Sequence, residues 1–162
     1  MARAETKSAF PPLEPKRARI LILGSLPGDR SIALQQYYGH PRNRFWPLLA
    51  ELLGTELPED YDERCGLLGR HAVAVWDVAE TAVRPGSLDA DITAPQPHDL
   101  PDFIRRHPEL EVIAFNGQKA AKLYDVFFPR FPQLRYFDLP STSPANARFR
   151  LNDLISAWSV AF

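Results

Sequence analysis

One cysteine, Cys65, is all the chain contains. An internal disulfide is therefore excluded, and a reducing, cytoplasmic setting is expected. No apolar run approaches the roughly 20 residues of a membrane span, and the first residues carry no apolar signal core. Contact with a membrane is not expected. His40, His71, His98 and His107 show no metal-ligand spacing, and Cys65 has no Cys or His partner in register. No metal site is expected. No Gly-Lys-Ser/Thr phosphate loop follows a strand, and no Ser-centred nucleophile elbow occurs. A charge excess is missing too: 19 Lys and Arg against 20 Asp and Glu leave a net charge of −1. Nucleic-acid binding would therefore have to use a local basic patch.

What remains is a chain of 162 residues, 45% hydrophobic and 24% charged. One domain of this size buries about 68–70% of its unfolded surface, enough for a core without staples. Residues 1–16 read as an N-terminal arm and residues 17–162 as a single domain. Apolar runs at Ile20–Leu23, Ala72–Trp76, Val112–Phe115 and Leu134–Leu139 read as strands. Helices are expected at Ser31–Tyr38, from Phe45 to Leu53, at Asp62–Leu68, Leu100–Arg106 and Gln118–Phe128, and on the stripe Leu151, Leu154, Ile155 and Trp158. Ala82–His98, with Pro85, Gly86, Pro95 and Pro97, reads as a loop. Strands alternating with helices predict an α/β fold with a mainly parallel sheet and helices on both faces.

Each apolar run ends in a polar, Gly/Pro/Ser/Asn-rich loop. In open α/β sheets ligands bind outside the carboxyl ends of the strands, so one site built from four loops is expected. Gly24 to Gly28 is either a tight turn or a place where backbone N–H groups meet a ligand. Tyr37 to Trp46 interleaves aromatics, cations and one amide. Its aromatics could stack bases, and Arg42 and Arg44 could reach phosphates. Asn43 also suits a helix cap, with Pro47 in the first turn, and Phe45 and Trp46 equally suit a core. Asn116-Gly117 is a turn or a base-edge reader, since an amide both donates and accepts. Pro140 to Asn146 is stiff, small and polar, and Arg148 and Arg150 follow it. Asp77, Asp89 and Asp91 are scattered carboxylates, of which Asp77 ends a strand.

Taken in order, Gly24-Ser25-Leu26-Pro27-Gly28, His40-Pro41-Arg42-Asn43-Arg44-Phe45-Trp46, Phe115-Asn116-Gly117 and Ser143-Pro144-Ala145-Asn146 resemble the uracil-DNA glycosylase superfamily. The resemblance spans about Arg19 to Asn152. The His-Pro-x-Asn-Arg-Phe-Trp string is similar to both the mismatch-specific uracil-DNA glycosylases and the hypoxanthine-DNA (deoxyinosine) glycosylases. Gly-Ser-x-Pro-Gly, with Tyr-Tyr before His-Pro, leans toward the hypoxanthine branch. One position departs from the mismatch-specific pattern: Leu26 stands where those enzymes carry a water-positioning Asn.

The resemblance implies a three-layer α/β/α sandwich around a central four-stranded sheet. It implies a monofunctional glycosylase that needs no cofactor and acts on DNA that contains a deaminated base, hypoxanthine first and uracil second. The expected setting is a monomer in the cytoplasm, associated with the nucleoid. A base inside a duplex is out of reach, so the nucleotide must be flipped out. Asn43 is the implied catalytic residue, orienting the water. Gly24, Ser25, Phe45, Asp77 and Asn116 are the implied base-binding set, with Phe45 stacking on the base. Arg42, Ser141, Ser143, Asn146 and Arg148 are implied to meet DNA, with Ala145 or Asn146 filling the vacated stack. A mismatch-specific uracil enzyme and a non-catalytic lesion-binding module on the same fold are the alternatives. A protein binding free mononucleotides at the first loop is a third.

Overall fold

The computed structural model describes residues 5–162. Its elements in chain order are β1 (Thr6–Ser8), β2 (Ile20–Gly24), α1 (Asp29–Leu34), α2 (Phe45–Leu52), α3 (Tyr61–Arg70), β3 (Val73–Asp77), β4 (Ala79–Val83), β5 (Thr93–Pro97), α4 (Leu100–Arg106), β6 (Val112–Asn116), α5 (Gln118–Phe127), β7 (Arg135–Leu139) and α6 (Leu151–Trp158). Strands β3, β2, β6 and β7 lie in that order and pair in parallel. The sequences of β2, β3 and β6 are nearly continuous apolar runs, buried along their whole length. That pattern belongs to parallel strands covered on both faces. The edge strand β7 is more polar and half exposed.

The pleat divides the core. Leu21, Leu23, Ile113 and Phe115 face α4 and α5, where they pack with Phe103, Leu123 and Tyr124. Ile20, Ile22, Val112 and Ala114 face the other way, onto Phe45, Leu48 and Leu49 of α2, Leu68 of α3, and Leu154 and Trp158 of α6. The expected α/β sandwich with a parallel four-stranded sheet is therefore the observed one. Helix starts follow local chemistry: Asp60 accepts from the Glu63 N–H ahead of α3, and Asp99 accepts from the Asp102 N–H ahead of α4. Such caps contribute about 1 kcal/mol each.

The structure corrects two parts of the pattern reading. Ala82–His98 is not a loop: β4 and β5 pair antiparallel, and β1 joins β4 on its other side, giving a second sheet in the order β1-β4-β5. Pro95 and Pro97 disguised β5. Proline is tolerated on an edge strand, where its missing N–H faces no partner. Helix α1 is also shorter than expected and stops at Leu34, because Gln35 takes a left-handed backbone (φ 53°).

Residues 1–4 of the expected arm lie outside the described residues. From Thr6 the segment is tied down. Thr6 pairs with Val83, Leu13 bridges to Val75, and Lys7 bonds the Asp29 carboxylate and the Gly86 carbonyl.

Candidate active site

The parallel sheet brings four strand ends level with one another. Gly24 of β2 is in register with Asp77 of β3, and Asn116 of β6 with Leu139 of β7. The loops leaving these ends, with the 37–43 segment and the β4–β5 connection, enclose a cavity of about 490 Å³. Among the expected site residues, Gly24, Ser25, Asn43, Asp77, Asn116, Ser141, Ser143, Ala145 and Asn146 all line it. Arg42 and Arg148 lie outside its wall, exposed to solvent.

Asn43 sits just before α2. Its Oδ1 accepts the Phe45 N–H at 3.0 Å, so the side chain turns the chain into the helix as an Asx turn. Arg44, not Asn43, holds the formal cap position. The bond to Phe45 occupies one lone pair and leaves the second lone pair and the amide hydrogens of Asn43 without a partner among the described residues.

Asn116 is buried, and its amide is gripped twice by Thr142: Nδ2 donates to Oγ1 at 3.0 Å, and Oδ1 accepts the Thr142 N–H at 2.9 Å. One donor and one acceptor thus fix the serine-rich loop to the end of β6, leaving one hydrogen and one lone pair on the amide. Within that loop the Ser141 and Ser143 hydroxyl oxygens accept the Ser143 and Ala145 N–H groups, and Asn146 Nδ2 donates to the Ser141 carbonyl. Both hydroxyl protons stay available to an external acceptor.

Two sequence expectations fail here. Phe45 does not line the cavity. It is fully buried, and its ring lies beneath Tyr38, with centroids 3.9 Å apart and planes within 24°. Tyr38, which lines the cavity, is the aromatic face presented there. Arg44 is not free for phosphate either. Its guanidinium donates to the carbonyls of Thr142, Ser143, Asn146 and Phe149. It fastens the start of α2 to the serine-rich loop, which the planar five-donor fork suits.

The cavity floor is acidic. Asp77 is 4% exposed, and its Oδ2 has no hydrogen-bond partner among the described residues. Burial, reinforced by the nearby Asp89 and opposed by Arg84, pushes its carboxyl up to about 7. The Tyr38 hydroxyl is likewise buried with no hydrogen bond of normal geometry among the described residues; burial and the Asp77 charge raise its pKa, opposed by the neighbouring Asn116 amide. Gly24 allows both to approach: a Cβ there would lie 2.5 Å from Asp77 Oδ1 and 3.1 Å from the Tyr38 hydroxyl. Asp89 accepts the Ser25 hydroxyl at 2.6 Å. Arg84, fully buried, donates to the Pro27 and Gly86 carbonyls. Among the described residues no group of His, Cys, Asp and Glu is arranged to hold a metal ion.

Sequence reasoning missed Tyr38, Asp89 and Arg84 as members of the site. Tyr38 was visible only as part of an aromatic cluster, and its left-handed backbone (φ 54°) is not written in its residue type. Asp89 and Arg84 arrive on the β4–β5 connection, so hiding that sheet hid them.

The uracil DNA glycosylase superfamily model matches residues 11–160, almost the whole chain and every loop just described. The chain belongs to the uracil DNA glycosylase superfamily. It is similar to a protein of Methanosarcina acetivorans named hypoxanthine DNA glycosylase, 37% identical over 159 residues, covering 96% of this chain and 98% of that one. A Methanosarcina barkeri protein of the same name is 36% identical over 157 residues, covering 96% and 98%. Among solved structures it resembles a provisionally named uracil DNA glycosylase of Methanosarcina acetivorans, determined by solution NMR, with a TM-score of 0.84, 36% identity and 96% of each chain covered. In this superfamily member the first-loop position of Leu26 is a packing position. The side chain is buried with Ala79, Ala82 and Ile92. No helix is long and apolar enough to cross a membrane among the described residues.

Proposed function

We propose that this protein is a monofunctional DNA glycosylase that hydrolyses the N-glycosidic bond of deaminated bases, hypoxanthine first and uracil second. One observation carries the reading: in a chain of this superfamily, Tyr38, Asn43, Asp77 and Asn116 converge on one cavity at the carboxyl ends of the sheet. The relatives named hypoxanthine DNA glycosylases, matched over nearly their full length, support the choice of base.

The chemistry asks for two things. A water must be held at C1′ of the flipped deoxyribose, and donors must meet the charge that grows on the departing base. As the C1′–N bond breaks, its electron pair leaves with the base. The water oxygen then bonds C1′ and gives up a proton, and protonation of the departed base anion completes the balance, leaving a C1′ hydroxyl and the neutral free base. Asn43 is assigned the water, through the lone pair and amide hydrogens that the Phe45 N–H leaves free. Asn116 is assigned the base edge. Preorganised donors of this kind are worth about 10²–10³ in rate each. Tyr38 supplies the stacking face, typically about 1–3 kcal/mol per base. Ser141 and Ser143 hydroxyls meet backbone phosphates beside the lesion, Ala145 or Asn146 fills the vacated stack, and Arg42 and Arg148 add charge attraction. The enzyme acts as a monomer on nucleoid DNA in the cytoplasm.

The test is base release. Duplexes carrying one deoxyinosine or one deoxyuridine are incubated with the protein, and abasic sites are revealed by alkali. No abasic site from either substrate refutes the proposal. Asn43→Ala is expected to keep fold and DNA affinity and to lose turnover by about 10² or more. Unchanged turnover would remove Asn43 from the catalytic role.

A further inference from the structure

We propose, resting on the glycosylase reading above, that Asp77 works as a neutral carboxylic acid that recognises the lactam edge of the flipped base. An acid group carries a donor and an acceptor side by side. Its O–H donates to the base carbonyl oxygen, and its other oxygen accepts the adjacent ring N–H. Hypoxanthine offers that pair as O6 and N1–H, and uracil as O4 and N3–H. No bond is made or broken by Asp77.

The geometry motivates this role. Asp77 closes β3 at the cavity floor, and Oδ2 is a buried oxygen with no hydrogen-bond partner among the described residues. A buried polar atom left unpaired is costly, so an atom of this kind lining a cavity invites a ligand to complete it. A side chain at Gly24 would collide with Oδ1. The neutral state follows from the surroundings. Asp89 from the β4–β5 connection adds like charge, while the Tyr37 and Tyr38 hydroxyls ahead of α2 are themselves neutral, burial first among the causes that raise their pKa. The His98 imidazole after β5 donates Nδ1–H to the Asp77 carbonyl, not to its carboxyl, and burial depresses its pKa. Among the described residues Arg84, after β4, is the cation that acts on the carboxyl, and its own bonds go to carbonyls. Burial thus dominates and holds the group near pH 7. An ionised Asp77 would set a negative charge against a carbonyl oxygen that itself gains charge as the glycosidic bond breaks. The acid form instead offers that oxygen a proton.

The role predicts a pH signature that a merely structural aspartate would not give. Single-turnover release from a deoxyinosine duplex is measured from pH 5 to 9 for the wild type, Asp77→Asn and Asp77→Ala. Affinity for a duplex containing uncleavable 2′-fluoro-deoxyinosine is measured in parallel. Wild-type rate and affinity are expected to fall above about pH 7. The Asn variant keeps a donor and an acceptor, so it is expected to lose up to about tenfold in rate and to lose the alkaline fall in both readouts. The Ala variant is expected to lose about 10² or more. An alkaline fall that persists in Asp77→Asn, or full turnover in Asp77→Ala, overturns the assignment. A wild type that binds the analogue but releases no base from any substrate defeats the glycosylase reading alone. The pH dependence of its affinity, with and without Asp77→Asn, then still decides the role of Asp77. A wild type that neither binds nor cleaves overturns both.

Discussion

Replacing Asp77 by Asn removes a titratable carboxyl from the cavity floor and leaves the side-chain shape nearly unchanged. The stability consequence follows from linkage. In the folded protein the carboxyl is pushed from 3.8 to about 7, chiefly by burial. A raised folded-state pKa means that the native state holds the proton more tightly than the unfolded chain does. The stabilising contribution is complete below the unfolded value and is lost as pH rises through the folded one. One unit of pKa is worth about 1.4 kcal/mol, so ionised Asp77 disfavours the fold by on the order of 4 kcal/mol above pH 8. At pH 5 only part of that cost, about 1.7 kcal/mol, is in force. Asp77→Asn does not titrate. Its stability relative to the wild type should therefore improve by about 3 kcal/mol between pH 5 and pH 8.5. In a domain of this size that is roughly 6–12 °C in Tm. Urea unfolding followed by tryptophan fluorescence at the two pH values measures the difference directly. A stability gap that is the same at both pH values would refute the argument, because it would mean that Asp77 titrates as an ordinary carboxyl.

Arg44→Lys should be poorly tolerated, since an ammonium cannot span four carbonyls. A loss of about 2–3 kcal/mol, with faster amide exchange confined to 141–149, is expected by hydrogen-exchange mass spectrometry, and wild-type exchange there would contradict the clamp. Gly24→Ala sets a methyl group 2.5 Å from Asp77 Oδ1. The displacement should lower turnover by about 10² while circular dichroism stays native, and an active variant would show that the Gly24–Asp77 contact is not needed. Arg42→Ala with Arg148→Ala should reduce the slope of log K against log salt by about 1 per residue, read by fluorescence anisotropy on duplex DNA. An unchanged slope would place phosphate contact elsewhere.

The parallel sheet was legible because β2, β3 and β6 are buried on both faces and therefore had to be apolar throughout. The loops at their ends were legible from their Gly, Pro, Ser and Asn content. The second sheet was not, because an edge strand such as Thr93–Pro97 needs neither alternation nor a full set of N–H donors. That loss propagated to the site by hiding the approach of Arg84 and Asp89. Phe45 and Tyr38 show a different limit. Both are aromatic and both lie near the His-Pro string, and only the left-handed turn at Tyr38 decides which ring is uppermost. Arg44 could not be separated from Arg42 by residue type. What separates them is a set of carbonyls about a hundred residues downstream, and no local pattern announces those.

The clamp made by Arg44 also has an electrical side. No carboxylate pairs with this guanidinium among the described residues; peptide oxygens alone surround it. Dipoles can solvate a cation, yet they do not cancel its monopole. A full positive charge therefore stands permanently under the rim of the pocket, in a protein whose overall charge is −1. It would draw a polyanion toward that rim from a distance without ever touching it, and the attraction would fade as added ions shorten the reach of the field.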